Sequence, residues 1–223
     1  MISKLRRLLP FLLFLVPSCC PTAPAPVATT GRRVVLVNGF SETGSIFNML
    51  QKRLEKRGME VFAPPLKHPD GRGGLENLAR HLKQDIDRKF GPEAPISIVS
   101  FSMGGLVSRE YLQNQGGAAR CENLITIASP HHGTLAAWTY RSQGVREMRP
   151  GSPFLKHLQE TEDHLGKMTV VSYRTPMDLV ILPPRSSVWD RAENIEYPVA
   201  LHPMMVTSQR VVDDIEKRLV KEP

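Results

Sequence analysis

The sequence predicts an α/β fold with a mostly parallel central sheet, helices on both of its faces and a short cap segment. From residue 32 onward, short β-branched runs alternate with longer stretches of helical periodicity, the pattern of successive βαβ units. The runs are apolar from end to end instead of alternating, as expected of strands covered on both faces. One of them, Ile96-Ser97-Ile98-Val99-Ser100-Phe101, passes through small residues straight into a helical pattern.

In chain order, Val34-Val35-Leu36-Val37 forms the first strand and Asn38-Gly39-Phe40 its closing turn. Ile46, Phe47, Leu50 and Leu54 then recur at helical spacing, and Gly58 ends that helix. Residues 59–63 form a second strand, stopped by Pro64-Pro65, and residues 67–74 a polar, glycine-rich loop. Leu75, Leu78, Leu82, Ile86 and Phe90 fall on one helical face before Gly91-Pro92. After the strand at residues 96–101 a helix reaches Gly116-Gly117. Residues 123–129 form a fourth strand and residues 168–173 a fifth; Val211, Val212, Ile215 and Leu219 mark a final helix.

The stretch 130–167 is too long for a simple connection. It holds Trp138, Tyr140, Met148, Phe154, Leu155 and Leu158, with Ser152 a candidate N-cap and Pro153 in the first helical turn. It reads either as extra helical packing on the sheet or as a cap-like insertion, about residues 134–167, that helps bind an apolar substrate.

Residues 1–18 differ from the rest. Lys4, Arg6 and Arg7 precede an apolar run at residues 8–16 that is too short to span a bilayer and reads as the core of a secretory signal. Val16-Pro17-Ser18-Cys19 resembles the lipobox of bacterial lipoproteins, which implies lipidation of Cys19. The expectation is an exported protein anchored in a bacterial cell envelope; a plain secretory signal, giving a periplasmic or secreted protein, is the alternative. Residues 19–30 are a Pro/Ala/Thr tether without periodicity.

Residues 31–223 suit one domain. Its single cysteine, Cys121, excludes a disulfide framework and reads as a buried small hydrophobe. The net charge of +7 falls to +4 without Lys4, Arg6 and Arg7, and basic residues are scattered among acids, as at residues 83–88. No aromatic-basic interleaving or nucleic-acid motif is present, so nucleic acid is not expected as a partner. A mild preference for anionic membrane surfaces is.

Ser100-Phe101-Ser102-Met103-Gly104 matches the G-x-S-x-G nucleophile elbow except at Ser100. A serine hydroxyl needs a base to take its proton and a third group to hold that base. In this architecture the chain order is serine, acid, histidine. Asp178 follows the fifth strand, and His202, the only histidine after it, precedes the last helix. Asp190, in the polar loop 186–194, is the second candidate acid. Glu162 and Asp163 are expected to be solvated, and His68, His81, His157 and His164 to lie on exposed loops or helices. His131 and His132 precede the acid and break the order; they are expected to shape the site near its mouth. Oxyanion donors are expected at the Met103 N–H, where a helix starts, and at the Phe40 N–H.

These segments resemble the α/β-hydrolase superfamily, in particular its lipase-like serine esterase branch. Val37-Asn38-Gly39-Phe40 is similar to that branch's H-G-F oxyanion turn, with Asn38 in place of histidine. Residues 99–105 resemble its G-H-S-M-G-G elbow, departing at Ser100 and Phe101. Residues 127–134 resemble its T-P-H-x-G-T segment, residues 149–155 its P-G-S-x-F-L segment, and residues 178–186 its acid-bearing D-x-x-V-x-P-x-x-S run. The resemblance implies Ser102 as nucleophile, His202 as base and then acid, Asp178 as the orienting carboxylate, and no metal or organic cofactor. It implies cleavage of a small-molecule or lipid acyl ester. Acyl transfer or thioester cleavage on the same residues is an alternative, as is a non-catalytic protein that binds lipid or a partner.

Overall fold

Six strands pair in parallel in a computed structural model of the protein, which describes residues 31–42 and 44–220. They are β1 (Arg33–Val37), β2 (Glu60–Phe62), β3 (Ile96–Phe101), β4 (Cys121–Ile127), β5 (Thr169–Arg174) and β6 (Glu193–Glu196), in the spatial order β2-β1-β3-β4-β5-β6. The helices are α1 (Asn48–Lys56), α2 (Leu75–Phe90), α3 (Met103–Asn114), α4 (Gln143–Glu147), α5 (Pro153–Glu160), α6 (Met204–Thr207) and α7 (Gln209–Val220). The secretory segment, Cys19 and the tether lie outside the described residues.

Strands β1, β3, β4 and β5 bury both faces, which is why they read as apolar runs. Val35, Val37 and Ile98 join one core with Leu78 and Leu82 of α2 and Leu106 and Val107 of α3. Val34, Leu36, Val99 and Phe101 join the other with Leu50 and Leu54 of α1 and Val211, Val212 and Ile215 of α7. Removing a Leu or Ile side chain from either core would cost on the order of 2–5 kcal/mol.

Register sets the strand ends level. Val37 pairs with Ser100, Phe101 with Ile127 and Ile127 with Tyr173, so β1, β3, β4 and β5 release their following loops at one edge. In open parallel sheets that carboxyl edge is where ligands bind.

Two elements depart from the sequence reading. β6, read as part of a polar loop, is a sixth strand; its residues Glu-Asn-Ile-Glu are largely exposed because it lies at the sheet edge. The stretch 130–167 contains α4 and α5; Val145, Leu155 and Leu158 of these helices, and Met148 just after α4, enter the α2–α3 core. That part is helical packing against α2 and α3. Ser152 caps α5 as its position suggested, accepting the Leu155 N–H at 3.2 Å. Among the described residues no helix is long and apolar enough to cross a membrane.

Candidate active site

The elbow begins where β3 runs out. Ser102 N–H still donates to Ile127 O at 2.8 Å, continuing the pairing with β4, while Ser102 O already accepts Gly105 N–H at 3.0 Å. One residue thus ends a strand and opens a helix, with φ 52° and ψ −125°. A serine there is strained, and such outliers gather at functional sites. The tightness is legible in its neighbours. A Cβ on Gly104 would lie 2.5 Å from the Val37 carbonyl oxygen, and one on Gly105 would lie 2.6 Å from Ser129 Cβ. Ser100, which replaces the usual first glycine, is fully buried, and its hydroxyl donates to Ile125 O at 3.3 Å.

The turn after β1 lies against this elbow: a Cβ on Gly39 would sit 3.1 Å from Ser102 Cβ. That places the Gly39 backbone beside the serine, with Phe40 the next residue in the turn. Met103 is the first residue of α3, whose leading N–H groups have no partner within the helix. The Asn38 side chain is 1% exposed, and neither of its polar atoms has a partner among the described residues.

Asp178 and His202 meet at the same edge. His202 Nδ1 lies 2.8 Å from Asp178 Oδ2, and both residues are buried. Asp178 Oδ1 accepts the Val180 and Ile181 N–H groups, each at 2.8 Å, so the carboxyl is held by its own loop. With Nδ1 donating to the carboxylate, Nε2 carries the lone pair. Nε2 is buried and has no partner among the described residues. The His202 ring packs on Phe101, the residue before Ser102, with centroids 4.7 Å apart. Thr175 ties the two loops together by donating to Val199 O at 2.7 Å. Asp190 is exposed, and His202 pairs with Asp178.

His131 lies deeper than expected. It is 3% exposed and stacks on Trp189 with centroids 4.5 Å apart. Its Nε2 lies 3.1 Å from Thr126 Oγ1 and its Nδ1 3.4 Å from Arg109 Nη1. Burial first, then the charges of Arg109 and His132, push its pKa well below the ordinary value, so it is neutral. Arg109 lies over Trp189 at 4.2 Å and donates to Leu158 O and to Glu162. Burial lowers its pKa to about 10, against the opposing pull of Glu162.

Glu162, expected to be solvated, is a correction: its carboxylate also accepts Trp189 Nε1–H at 2.6 Å. Arg109 and Trp189 were not singled out from sequence; a charged residue inside the apolar run Leu106-Val107-Ser108-Arg109-Glu110-Tyr111-Leu112 was the available signal. His81 is half-buried, whereas His68, His132, His157 and His164 are exposed. Cys121 is buried, which pushes its thiol up to about 12 and makes it unreactive. A cavity of about 620 Å³, lined by Arg33, Ser97, Asn123 and Thr169, opens at the opposite, amino-terminal edge of the sheet.

A parallel sheet, a strained serine between β3 and α3, and an Asp–His pair at the same edge define an α/β-hydrolase of the lipase, esterase and thioesterase kind. The sequence model of the palmitoyl protein thioesterase family matches residues 33–165, and the chain belongs to that family. No curated protein sequence matches it. Among solved structures, the mature Bacillus licheniformis lipase BlEst2 is similar at a TM-score of 0.71 and 16% identity, over 89% of this chain and 94% of that one. RedJ, a thioesterase of the prodiginine biosynthetic pathway in Streptomyces coelicolor, is similar at a TM-score of 0.57 and 18% identity, over 92% and 97%. Aspergillus fumigatus lipase B is similar at 0.61 and 13%, over 78% of this chain and 49% of that one. At these identities the likeness is one of fold.

Proposed function

We propose that the protein is a serine hydrolase that cleaves carboxylic acyl esters through a covalent acyl-enzyme on Ser102. The observation that carries this reading is the buried His202–Asp178 pair with Nε2 left free, at the edge where Ser102 is forced into its strained turn. In the first half-reaction His202 Nε2 takes the Ser102 proton as Oγ attacks the acyl carbonyl. The Phe40 and Met103 N–H groups receive the oxyanion, a contribution of roughly 3–4 kcal/mol per donor in such sites. The intermediate collapses, the alcohol leaves with the proton from His202, and the acyl group stays on Ser102. Water then attacks, giving up its proton to His202, and releases the carboxylic acid and free serine. No metal or organic cofactor enters these steps.

Thioester cleavage is the second reading, favoured by the family match. It uses the same steps with a thiol as leaving group, which needs less help from His202 as acid. The protein is further proposed to be exported and held to a cell-envelope membrane through Cys19, with residues 19–30 as tether; Cys19→Ser would then move it from the membrane to the soluble fraction.

Hydrolysis of p-nitrophenyl esters from acetyl to palmitoyl, beside matched acyl thioesters, tests the reading. Wild-type turnover, lost on the order of 10⁴-fold or more in Ser102→Ala, is expected. A faster rate on thioesters would select the second reading. Equal turnover by wild type and Ser102→Ala would overturn both.

A further inference from the structure

Asp178 sits on a loop that the sheet does not hold. The chain leaves β5 at Arg174 and returns to strand structure only at Glu193, and next to Asp178 both Leu179 and Val180 are exposed. Ile181 is the buried apolar side chain of that stretch. The backbone around it is held from the loop after β4. Thr134, 3% exposed, donates its hydroxyl to Val180 O at 2.7 Å and accepts Leu182 N–H at 2.9 Å. The same oxygen accepts Ala136 N–H at 3.2 Å, so the one donor and both acceptor positions of the hydroxyl are used. Beside it Leu135 N–H donates to Leu182 O at 2.9 Å, and Thr134 N–H is itself seated on Met148 O at 2.9 Å.

Residues 180–182 therefore bond in two directions. The N–H groups of Val180 and Ile181 hold Asp178 Oδ1, each at 2.8 Å, while the Val180 carbonyl and the Leu182 N–H hold Thr134. The oxygen facing His202 Nδ1 is the other one, Oδ2. A shift of this strap away from Thr134 would carry the two N–H groups with it and turn the carboxyl relative to the imidazole. A valine at position 134 would cause that release, because its methyl can neither donate to Val180 O nor accept from Leu182 N–H.

We infer that Thr134 is a positioning residue for the acid: its hydroxyl fixes residues 180–182 so that Asp178 presents Oδ2 to His202. The inference rests on the hydrolase reading above and adds to it a residue that touches neither substrate nor the reacting atoms.

The test is steady-state kinetics of the full chain on a soluble p-nitrophenyl ester, beside urea unfolding of each variant. Thr134→Val should lower kcat by about 10- to 100-fold and leave KM within about twofold. Thr134→Ser keeps the hydroxyl and should retain most of the turnover, although it deletes a buried methyl and lowers the urea midpoint. A role in packing alone gives the opposite order, since valine keeps the methyl and serine does not. Thr139→Val, which removes one hydrogen bond within its own segment, should leave kcat unchanged. In an Asp178→Asn background, where the acid is already lost, adding Thr134→Val should cost nothing further. Wild-type kcat in Thr134→Val would overturn the inference, as would a rise in KM alone or an equal further loss in the Asp178→Asn background. Should Thr134→Val not fold, Thr134→Cys takes its place with the same expectations, because a thiol is a weak donor and acceptor. A wild type that neither turns over nor takes a fluorophosphonate on Ser102 would overturn the hydrolase reading and this inference together. Wild-type turnover lost in Ser102→Ala, beside a fully active Thr134→Val, would overturn this inference alone.

Discussion

His202 Nδ1 lies 2.8 Å from Asp178 Oδ2, while the other oxygen of that carboxyl accepts two N–H groups of its own loop. The acid is thereby fixed before it orients the base. Asp178→Asn keeps the volume but can present an N–H to Nδ1, which forces the proton onto Nε2 and removes the lone pair that would receive the Ser102 proton. Turnover should fall on the order of 10⁴-fold with the fold intact. Asp190→Asn, at the exposed second candidate, should leave the rate unchanged. Steady-state kinetics on a soluble ester separates the two, and the reverse ranking would reassign the acid.

The elbow makes a steric prediction. Ser100 is fully buried beneath it and fits as a small residue, so Ser100→Gly and Ser100→Ala should fold and turn over near the wild-type rate. Ser100→Leu overpacks the strand. Gly104→Ala drives a Cβ against the Val37 and Asn38 carbonyl oxygens, which are backbone and cannot step aside. Each of these two should lose about 1–3 kcal/mol or more, read as a lower urea midpoint. A Gly104→Ala variant as stable as wild type would contradict the tight-turn geometry.

The strands around this elbow were legible because burial on both faces leaves an apolar, β-branched signature in β1, β3, β4 and β5. β6 was not, since an exposed edge strand of four residues needs little apolar surface. Ser102 was read from the elbow motif, and Asp178 and His202 as its candidate partners from chain order, a rule about topology that needs no side-chain coordinates; the structure brings Asp178 and His202 to 2.8 Å of each other. The Arg109–His131–Trp189–Glu162 cluster escaped for the opposite reason. Its members lie on four different segments, and only folding shows that a charged residue of α3 has partners at positions 131, 158 and 162. The same holds for Trp189, buried in what reads as a polar loop.

That cluster gives a pH dependence. His131 is held neutral in the folded protein, its pKa pushed well below 6.5 by burial and then by neighbouring positive charge. In the unfolded chain it takes up a proton near that ordinary value. Below about pH 6.5 the unfolded state therefore binds more protons than the folded one, and stability rises with pH in the window between the two pKa values. The contribution is complete above it, and its slope is at most about 1.4 kcal/mol per pH unit. Urea unfolding on either side of this pH should show the slope in wild type and a shallower one in His131→Gln. An identical slope in both would show that His131 titrates alike in the two states.

Breaking the ion pair inside the cluster should cost more than losing a surface contact. Arg109 is buried, and its removal leaves the Glu162 carboxylate with only Trp189 Nε1–H. Arg109→Met should destabilise by about 3 kcal/mol. Glu162→Gln keeps an oxygen acceptor for Trp189 and should cost less. Equilibrium denaturation ranks the two, and equal stability of all three proteins would remove the cluster from the packing account.

The most direct measurement is the site of covalent labelling by a fluorophosphonate, read by peptide mass spectrometry on folded wild type and Ser102→Ala. Such a probe reacts with a serine whose proton is taken by a neighbouring base. A stoichiometric adduct on Ser102, absent from Ser102→Ala and slowed strongly in Asp178→Asn, is the expected outcome. A folded wild-type protein that stays unlabelled, or is labelled equally when Ser102 is gone, would contradict the claim that Ser102 is the nucleophile.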